Sequence, residues 1–396
     1  MPTSARLRII NQARVLDALR GPGLWSRAEL ASALNTTRST ITVIVSDLLE
    51  EGLVQEGDAR APSSAPTATG RPRIPLSIRP EGGYFAGLDI GNDTLTVLVV
   101  DLRGDEVSRV VEVAEPAAGP AKNEERLALL LESVLKSRPD ISLRGIGMTV
   151  PGLIARNGEL LWAPKLSWRN TRLGSHLISV FGVPVFVEND ANAAAIGEAV
   201  FGSWVGNQGD VLYMLLDSGV GSGLLLGGRP YRGTSGYVGE VGHIQVPTAD
   251  GGQRNIEDIL GREAVLSEFV SRGGAFSLIA FQQAITERNP EALRIRGAWQ
   301  ASLAWLVSAL VWVLDPTDVV FGGPMATLLS DNTIFQSAIR RNGITRDISR
   351  FRVSELGASA VILGAAALPL YAFFAIPTIE NQSDTGNAGL LSDSIQ

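Results

Sequence analysis

Apolar positions along this chain recur with a helical period up to about residue 50 and with a strand-like pattern from Tyr84 onward. In the first segment, Arg6–Arg20 sets Ile9, Ile10, Ala13, Leu16 and Leu19 on one helical face. The run Gly21-Pro22-Gly23 ends that helix. Ser26, with Glu29 three residues on, then forms a capping box that opens a short second helix ending near Leu34–Asn35. The stretch "TTRSTITVIVSDLLEEGLV" predicts a third helix with Ile41, Ile44, Val45, Leu48 and Leu49 buried, capped by Gly52. "LVQEGD" begins a strand. Helix, short helix, turn, helix and strand in this order predict a winged helix-turn-helix over residues 1–58.

Residues 59–80, rich in Pro, Ala, Ser and Thr, read as a linker. Beyond it, "YFAGLDIGNDTLTVLVVDLRGD" reads as strand, tight turn and strand, and a helix is expected near Glu124–Lys136. "VPVFVENDANAAAIGEAVFG" reads as strand, polar turn and helix. "DVLYMLLDSGVGSGLLLGGRPYRG" repeats the device of strand, glycine turn and strand. The body is therefore expected to be two α/β lobes, 81–190 and 191–379, with the last helix returning to the first lobe. Gly297–Leu314 is a long uncharged apolar run, yet Gln300 and three tryptophans lie in it. It reads as a buried helix leading into the strand of "DPTDVVFGG" rather than a membrane span. Residues 380–396 are polar and are expected to be a disordered tail.

Composition narrows the classes. Of 396 residues, 45% are hydrophobic and 19% charged, which fits a globular chain. The chain has no cysteine, which excludes disulfides and thiolate zinc and fits a reducing cytoplasm. Its N-terminal segment lacks the apolar core of a signal peptide. Charge is uneven: residues 1–80 hold ten arginines, no lysine and seven acids (+3), leaving −10 for the rest of a −7 chain. Only the head suits a polyanion. Arg38, Ser39, Thr40 and Thr42, exposed near the start of the third helix, are the residue types that contact phosphates and base edges in a major groove. Arg71, beside Pro72 in "GRPR", suits a narrow minor groove. The competing readings are a small helical bundle that binds protein, and a bare linker.

"VENDANAAAIGE", "DSGVGSGLLLGGRPYRG", "GEVGH" and "VVFGGPM" together resemble the ROK family of repressors, open reading frames and sugar kinases. The likeness covers about Tyr84 to Leu370, and the preceding head with "GRPR" is similar to the repressor branch. It implies an actin-like, hexokinase-like ATPase fold. It also implies a sugar pocket of Asn189, Asp190, Glu240, His243 and Glu257, with Asp190 where the kinases keep their catalytic base. Carboxylates, an amide and an imidazole are the donors and acceptors that sugar hydroxyls require. Trp162, Lys165 and Trp168 in "LLWAPKLSW" match the family's sugar-facing segment.

Two departures bear on function. Zinc-bearing relatives carry a cysteine cluster after the histidine; here His243 and Glu257 are 14 positions apart with no thiol between them. No metal and no zinc cofactor are therefore expected. The kinases read Asp-Ile-Gly-Gly-Thr in the first phosphate loop, whereas this chain reads Asp89-Ile90-Gly91-Asn92-Asp93. A carboxylate there repels a phosphate about 4 Å away by up to roughly 4 kcal/mol unless a cation intervenes. The expectation is a cytoplasmic, sugar-responsive regulator that binds operator DNA as a homodimer or tetramer. An active sugar kinase using Mg-ATP and Asp190 is the alternative. A third reading is a constitutive DNA-binding protein whose body only dimerises.

Overall fold

The computed structural model of this chain describes residues 4–20, 25–57, 74–155, 157–202, 209–247, 251–345 and 347–374. The head contains α1 (Ser4–Arg20), α2 (Arg27–Ala33) and α3 (Arg38–Glu50), followed by β1 (Val54–Glu56) and β2 (Leu76–Ile78). Ser26 and Glu29 cap α2 reciprocally, and Thr37 caps α3 through the Thr40 amide at 3.2 Å. Leu16, Leu19, Leu30, Ile41, Ile44, Val45 and Leu48 close the head's core, with Leu49 only partly buried against it.

β1 and β2 pair antiparallel, Val54 opposite Ile78 and Glu56 opposite Leu76. The Leu76 amide also donates to the Trp25 carbonyl at 2.7 Å. This corrects the linker reading: residues 76–78 are the second strand of the wing, because their alternating apolar side chains complete the head's core. The stretch holding Arg71 lies outside the described residues, but the chain enters and leaves it at one end of the wing, where Gly57 donates to the Pro75 carbonyl at 2.8 Å. The connection from head to body is therefore the short Arg79–Gly83 segment. Arg79 is bonded to the Leu53 carbonyl, and Leu102 to the Pro80 carbonyl.

The first lobe opens with the antiparallel meander β3 (Tyr84–Ile90), β4 (Thr94–Asp101) and β5 (Glu106–Val113). Then come α4 (Pro120–Ser137), β6 (Leu143–Val150), the small sheet β7 (Leu153–Ile154), β8 (Glu159–Ala163) and β9 (Trp168–Arg172), α5 (Ser175–Phe181) and β10 (Val185–Asn189). Its main sheet is ordered β10-β6-β3-β4-β5, with β6 parallel to both neighbours. The second lobe begins with α6 (Asp190–Phe201), β11 (Val211–Leu216), β12 (Val220–Leu226) and β13 (Arg229–Pro230). β14 (Gln245–Pro247), β15 (Gln253–Asn255), α7 (Glu257–Leu260), α8 (Arg262–Ser271), α9 (Leu278–Thr286) and α10 (Pro290–Leu314) follow. β16 (Asp318–Gly322), α11 (Thr333–Arg341), β17 (Phe351–Val353) and α12 (Ala360–Phe374) end the described chain. The second sheet is ordered β13-β12-β11-β16-β17.

α6 lies on the second sheet and α12 on β3 and β6 of the first, and the two helices cross between the sheets. Small residues permit the crossing: a Cβ on Gly364 would stand 2.2 Å from the Ala193 carbonyl oxygen. Likewise Gly147 leaves room for the Ala365 carbonyl, 1.9 Å from where its own Cβ would be. At its far end α12 meets the head, with the Arg20 guanidinium 5.4 Å from the centre of the Phe374 ring. One continuous apolar cluster consequently runs from α1 and α3 through α12 to α6 and β11.

α10 and the segment Gly357–Phe374 are each long and apolar enough to cross a bilayer, but about half of each apolar window is buried inside the protein. α10 leads into β16, as its sequence suggests. It is not buried throughout, however: Trp305, Trp312 and Val313 face outward, at 49%, 68% and 80% exposure.

Replacing Gly364 by Ala should drive its methyl into the α6 backbone, which cannot swing away as a side chain can. We expect a loss of about 2–3 kcal/mol, read as a lower urea midpoint at unchanged slope.

Candidate functional site

The two glycine-marked turns face each other across the cleft between the lobes. Gly91–Asp93 joins β3 to β4, and Asp217–Gly219 joins β11 to β12. Beneath them is a cavity of about 380 Å³ lined by Asp89, Lys165, Asn189, Asp190, Glu240, His243 and Glu257 among others. All five residues that the family resemblance named thus converge on one cavity.

Asn189 ends β10 and caps α6. Its Oδ1 accepts from the amides of Ala191 (2.8 Å) and Asn192 (3.2 Å), and its Nδ2 donates to the Gly152 carbonyl at 2.9 Å. Most of its hydrogen-bonding capacity is therefore engaged within the protein, and its clearest work is to hold Asp190 at the first turn of the helix. Glu188, which the sequence did not single out, supports the same corner. It is buried, pairs with Arg232 from "GGRPYRG", and accepts from the Asn189 amide at 3.0 Å.

Glu240 and His243 lie on a tight turn pressed against β12. A Cβ on Gly239 would meet the Ser222 carbonyl at 2.0 Å, and one on Gly242 the Val220 carbonyl at 2.3 Å. The glycines of "GEVGH" are thus required for close approach, which aims both polar side chains into the cavity. His243 Nε2 is 3.7 Å from Glu240 Oε2, and its Nδ1 is 3.8 Å from Glu257 Oε1. Among the described residues no group of three or more His, Asp or Glu is disposed to hold a metal ion.

Trp162 stacks on the His243 ring at 5.4 Å between centroids and 24° between planes, and the Arg169 guanidinium lies 5.4 Å from the other ring of the stack, that of Trp162. Trp162 therefore backs the histidine. Lys165 projects between Ser218 Oγ (3.4 Å) and Glu257 Oε2 (3.7 Å). Trp168 is buried and donates to the Pro116 carbonyl at 3.1 Å, away from the cavity.

The cavity concentrates carboxyl groups. Burial raises Asp89 to about 7, against the lowering effect of a 2.7 Å hydrogen bond from Thr149. Burial likewise raises Asp190 to about 6 and Glu240 to about 7, and neighbouring carboxylates push both further up. With values raised towards neutrality, these carboxyls can offer hydroxyls entering the cavity donors as well as acceptors.

The phosphate-loop departures have a structural use. Asn92 Nδ2 donates to Ser218 Oγ at 2.8 Å, joining one turn to the other. Asp93 does not stand unopposed, because Arg262 at the start of α8 reaches it at 3.2 Å while also holding Asp217 at 3.2 Å. Sequence reasoning did not foresee this arginine. Its signal is only a basic residue at a helix start 169 positions from its partner.

In the head, Arg38, Ser39 and Thr42 are exposed and Thr40 is half-buried. Thr37, Ser39 and Thr40 exchange hydroxyl contacts of 2.8–2.9 Å, and Thr42 Oγ1 donates to the Arg38 carbonyl at 2.8 Å. Val43, unremarked in the sequence, is 60% exposed on the same helix, where an apolar group can meet a thymine methyl.

A winged helix-turn-helix joined to a two-lobed, actin-like domain with a polar cleft defines a class of regulator built on a sugar-kinase fold. The chain belongs to the ROK family, whose model matches residues 85–371. It is 28% identical to the xylose repressor of Bacillus spizizenii, over 89% of this chain and 90% of that one. It is 27% identical to a transcriptional regulator of Mycobacterium tuberculosis, over 95% and 89% of the two chains. The crystal structure of a ROK family transcriptional regulator, a homologue of Escherichia coli MLC, superposes with a TM-score of 0.76 at 21% identity, covering 98% and 99%. A ROK family glucokinase from Streptomyces griseus, in complex with glucose and AMPPNP, superposes at 0.61 with 25% identity, covering 72% and 99%.

The raised carboxyl groups set a pH dependence. Their folded-state values lie above the unfolded ones, so their contribution is fully present at acid pH and is lost as pH rises through about 6–7. We expect Glu240→Gln to gain on the order of 1–2 kcal/mol relative to the parent between pH 5 and pH 8. Parallel thermal melts at the two pH values measure this, and equal differences at both would contradict it.

Proposed function

We propose that this chain is a sugar-responsive transcriptional regulator, and in particular a repressor relieved by its sugar. The observation that carries this reading is the convergence of Asp190, Glu240, His243 and Glu257 on one interlobe cavity, in a chain whose head exposes the start of α3. The cavity offers polar groups at several angles around a space of monosaccharide size. With xylose repressors among the relatives, an aldopentose is the first effector to test. The place of work is the cytoplasm, where operator and sugar meet, and the working unit is a homodimer.

Binding without phosphoryl transfer fits the cleft better than kinase chemistry does. Asn92 is engaged with Ser218, and Asp93 shares Arg262 with Asp217, so the loops that would cradle a nucleotide hold each other instead. The sugar must favour one lobe arrangement over another to act, since equal affinity for both shifts nothing.

Fluorescence anisotropy on DNA from the regulated promoter, with a panel of sugars, tests the reading. Xylose or a related sugar should lower operator affinity in the parent protein. In Asp190→Asn the response should vanish while sugar-free binding stays intact. Operator binding indifferent to every sugar would favour the constitutive reading, and sugar-dependent ADP release would favour the kinase.

Arg38→Ala addresses the head separately. We expect operator binding to weaken by about 1–3 kcal/mol, with sugar-induced thermal stabilisation of the body unchanged. Unaltered DNA affinity would remove α3 from the interface.

A further inference from the structure

Lys165 enters the cavity from a stiff support. The turn between β8 and β9 carries it, closed by the Ser167 amide donating to the Pro164 carbonyl at 3.1 Å. Ala163, Leu166 and Trp168 around it are buried, so the start of the lysine stem is fixed by packing. Its far end is fixed by partners in the second lobe. Nζ lies 3.4 Å from Ser218 Oγ and 3.7 Å from Glu257 Oε2, and a Cβ on Gly219 would stand 3.0 Å from it. The ammonium therefore rests against the turn that joins β11 to β12. Burial raises Asp190 and Asp217, and the Lys165 charge opposes the rise at both, which puts it near the two groups.

That point has a chemical meaning in a sugar cavity of this fold. A hydroxyl that is to receive phosphate must lie between a base and the phosphate loops. Here Asp190 and the Ser218–Gly219 turn stand at those two places. On a hexopyranose the unhindered primary hydroxyl is the exocyclic one, carried on a hydroxymethyl arm. An aldopentopyranose lacks that arm. With the ring held by Asp190, Glu240, His243 and Glu257, the arm of a hexose is directed at the space that the Lys165 ammonium fills. To admit it, the lysine must leave Ser218 and Glu257 together, and with them its bridge from the first lobe to the second.

We propose that Lys165 determines which sugar the site accepts: it excludes the exocyclic hydroxymethyl of hexoses and leaves room for an aldopentose. The assignment rests on the sugar-binding reading above and goes beyond it, naming the group that rejects the larger ring. Selection of this kind works by a clash with the wrong guest rather than by added contacts with the right one. The other use of a lysine here, to hold an anionic substituent, fits the surroundings poorly. Asp93, Asp190, Asp217, Glu240 and Glu257 line the same cavity. Its cations are already paired, Lys165 with Glu257, Arg109 with Glu106 and Arg262 with Asp93.

Isothermal titration calorimetry of the full-length protein, without DNA, against xylose, glucose and glucose 6-phosphate tests the assignment. The parent should bind xylose about tenfold or more tightly than glucose, the discrimination that one carbon commands in a shaped pocket. Lys165→Ala removes more atoms than a hydroxymethyl adds, and leaves Ser218 and Glu257 free to bond the new hydroxyl. Its affinity for glucose should rise about tenfold over the parent's, a gain that a merely damaged site does not give. Lys165→Met keeps the length without the charge and should still reject glucose. An unchanged ratio of xylose to glucose affinity in Lys165→Ala would overturn the proposal and leave the sugar site standing. An equal gain in Lys165→Met would overturn it too, by putting the discrimination on charge. So would a preference for glucose 6-phosphate that both variants lose, since Lys165 would then be an anion receptor. Binding of none of the three sugars by any of the proteins would remove the aldopentose reading and the gate with it.

Discussion

Two helices that approach almost backbone to backbone hold this molecule together. α6 belongs to the second lobe and α12 to the first, and they pack against each other between the two sheets. The approach depends on Gly364, Gly197 and a run of alanines, so the crossing has little side-chain bulk to absorb a change in angle. Such a joint favours discrete arrangements over continuous bending. The same two helices also link the sites. α6 begins at Asp190 in the cavity, and α12 ends at Phe374 against the head.

The cavity is best understood through what each group is already doing. Asn189 is largely engaged in capping, Lys165 lies between Ser218 and Glu257, and His243 is backed by Trp162. The groups left facing the space are mostly carboxyls whose burial makes ionisation costly. A polyhydroxylic guest would relieve that cost by hydrogen bonding, which is the physical argument for the proposed sugar site. Across the cleft, the Asn92–Ser218 and Asp93–Arg262 contacts join the lobes from the side opposite the helix crossing.

Much of this was legible in sequence because the signals are local. The capping box at Ser26, the stripe along α3 and the glycine turns each depend on residues a few positions apart. The cavity wall was located by the family resemblance that the motifs from "VENDANAAAIGE" to "VVFGGPM" carry. What stayed hidden was non-local or compositionally disguised. Arg262 meets Asp93 across 169 positions, and Glu188 depends on Arg232 across 44. The wing's second strand was masked by the Pro- and Ser-rich stretch before it, since three residues are too few to show a period. The exposure of Trp305 and Trp312 escaped notice because a helix apolar on all sides reads as core.

The pairing of β1 with β2 bears on how regulators of this kind are recombined. The Pro- and Ser-rich stretch looks like the natural seam for exchanging DNA-binding modules, yet a cut there would leave one wing strand with each donor. A graft that keeps both modules whole must join between Ile78 and Tyr84. The incoming module must then also fit the aromatic end of α12, so compatible donors are chosen by the shape of α1 and not by the composition of the seam.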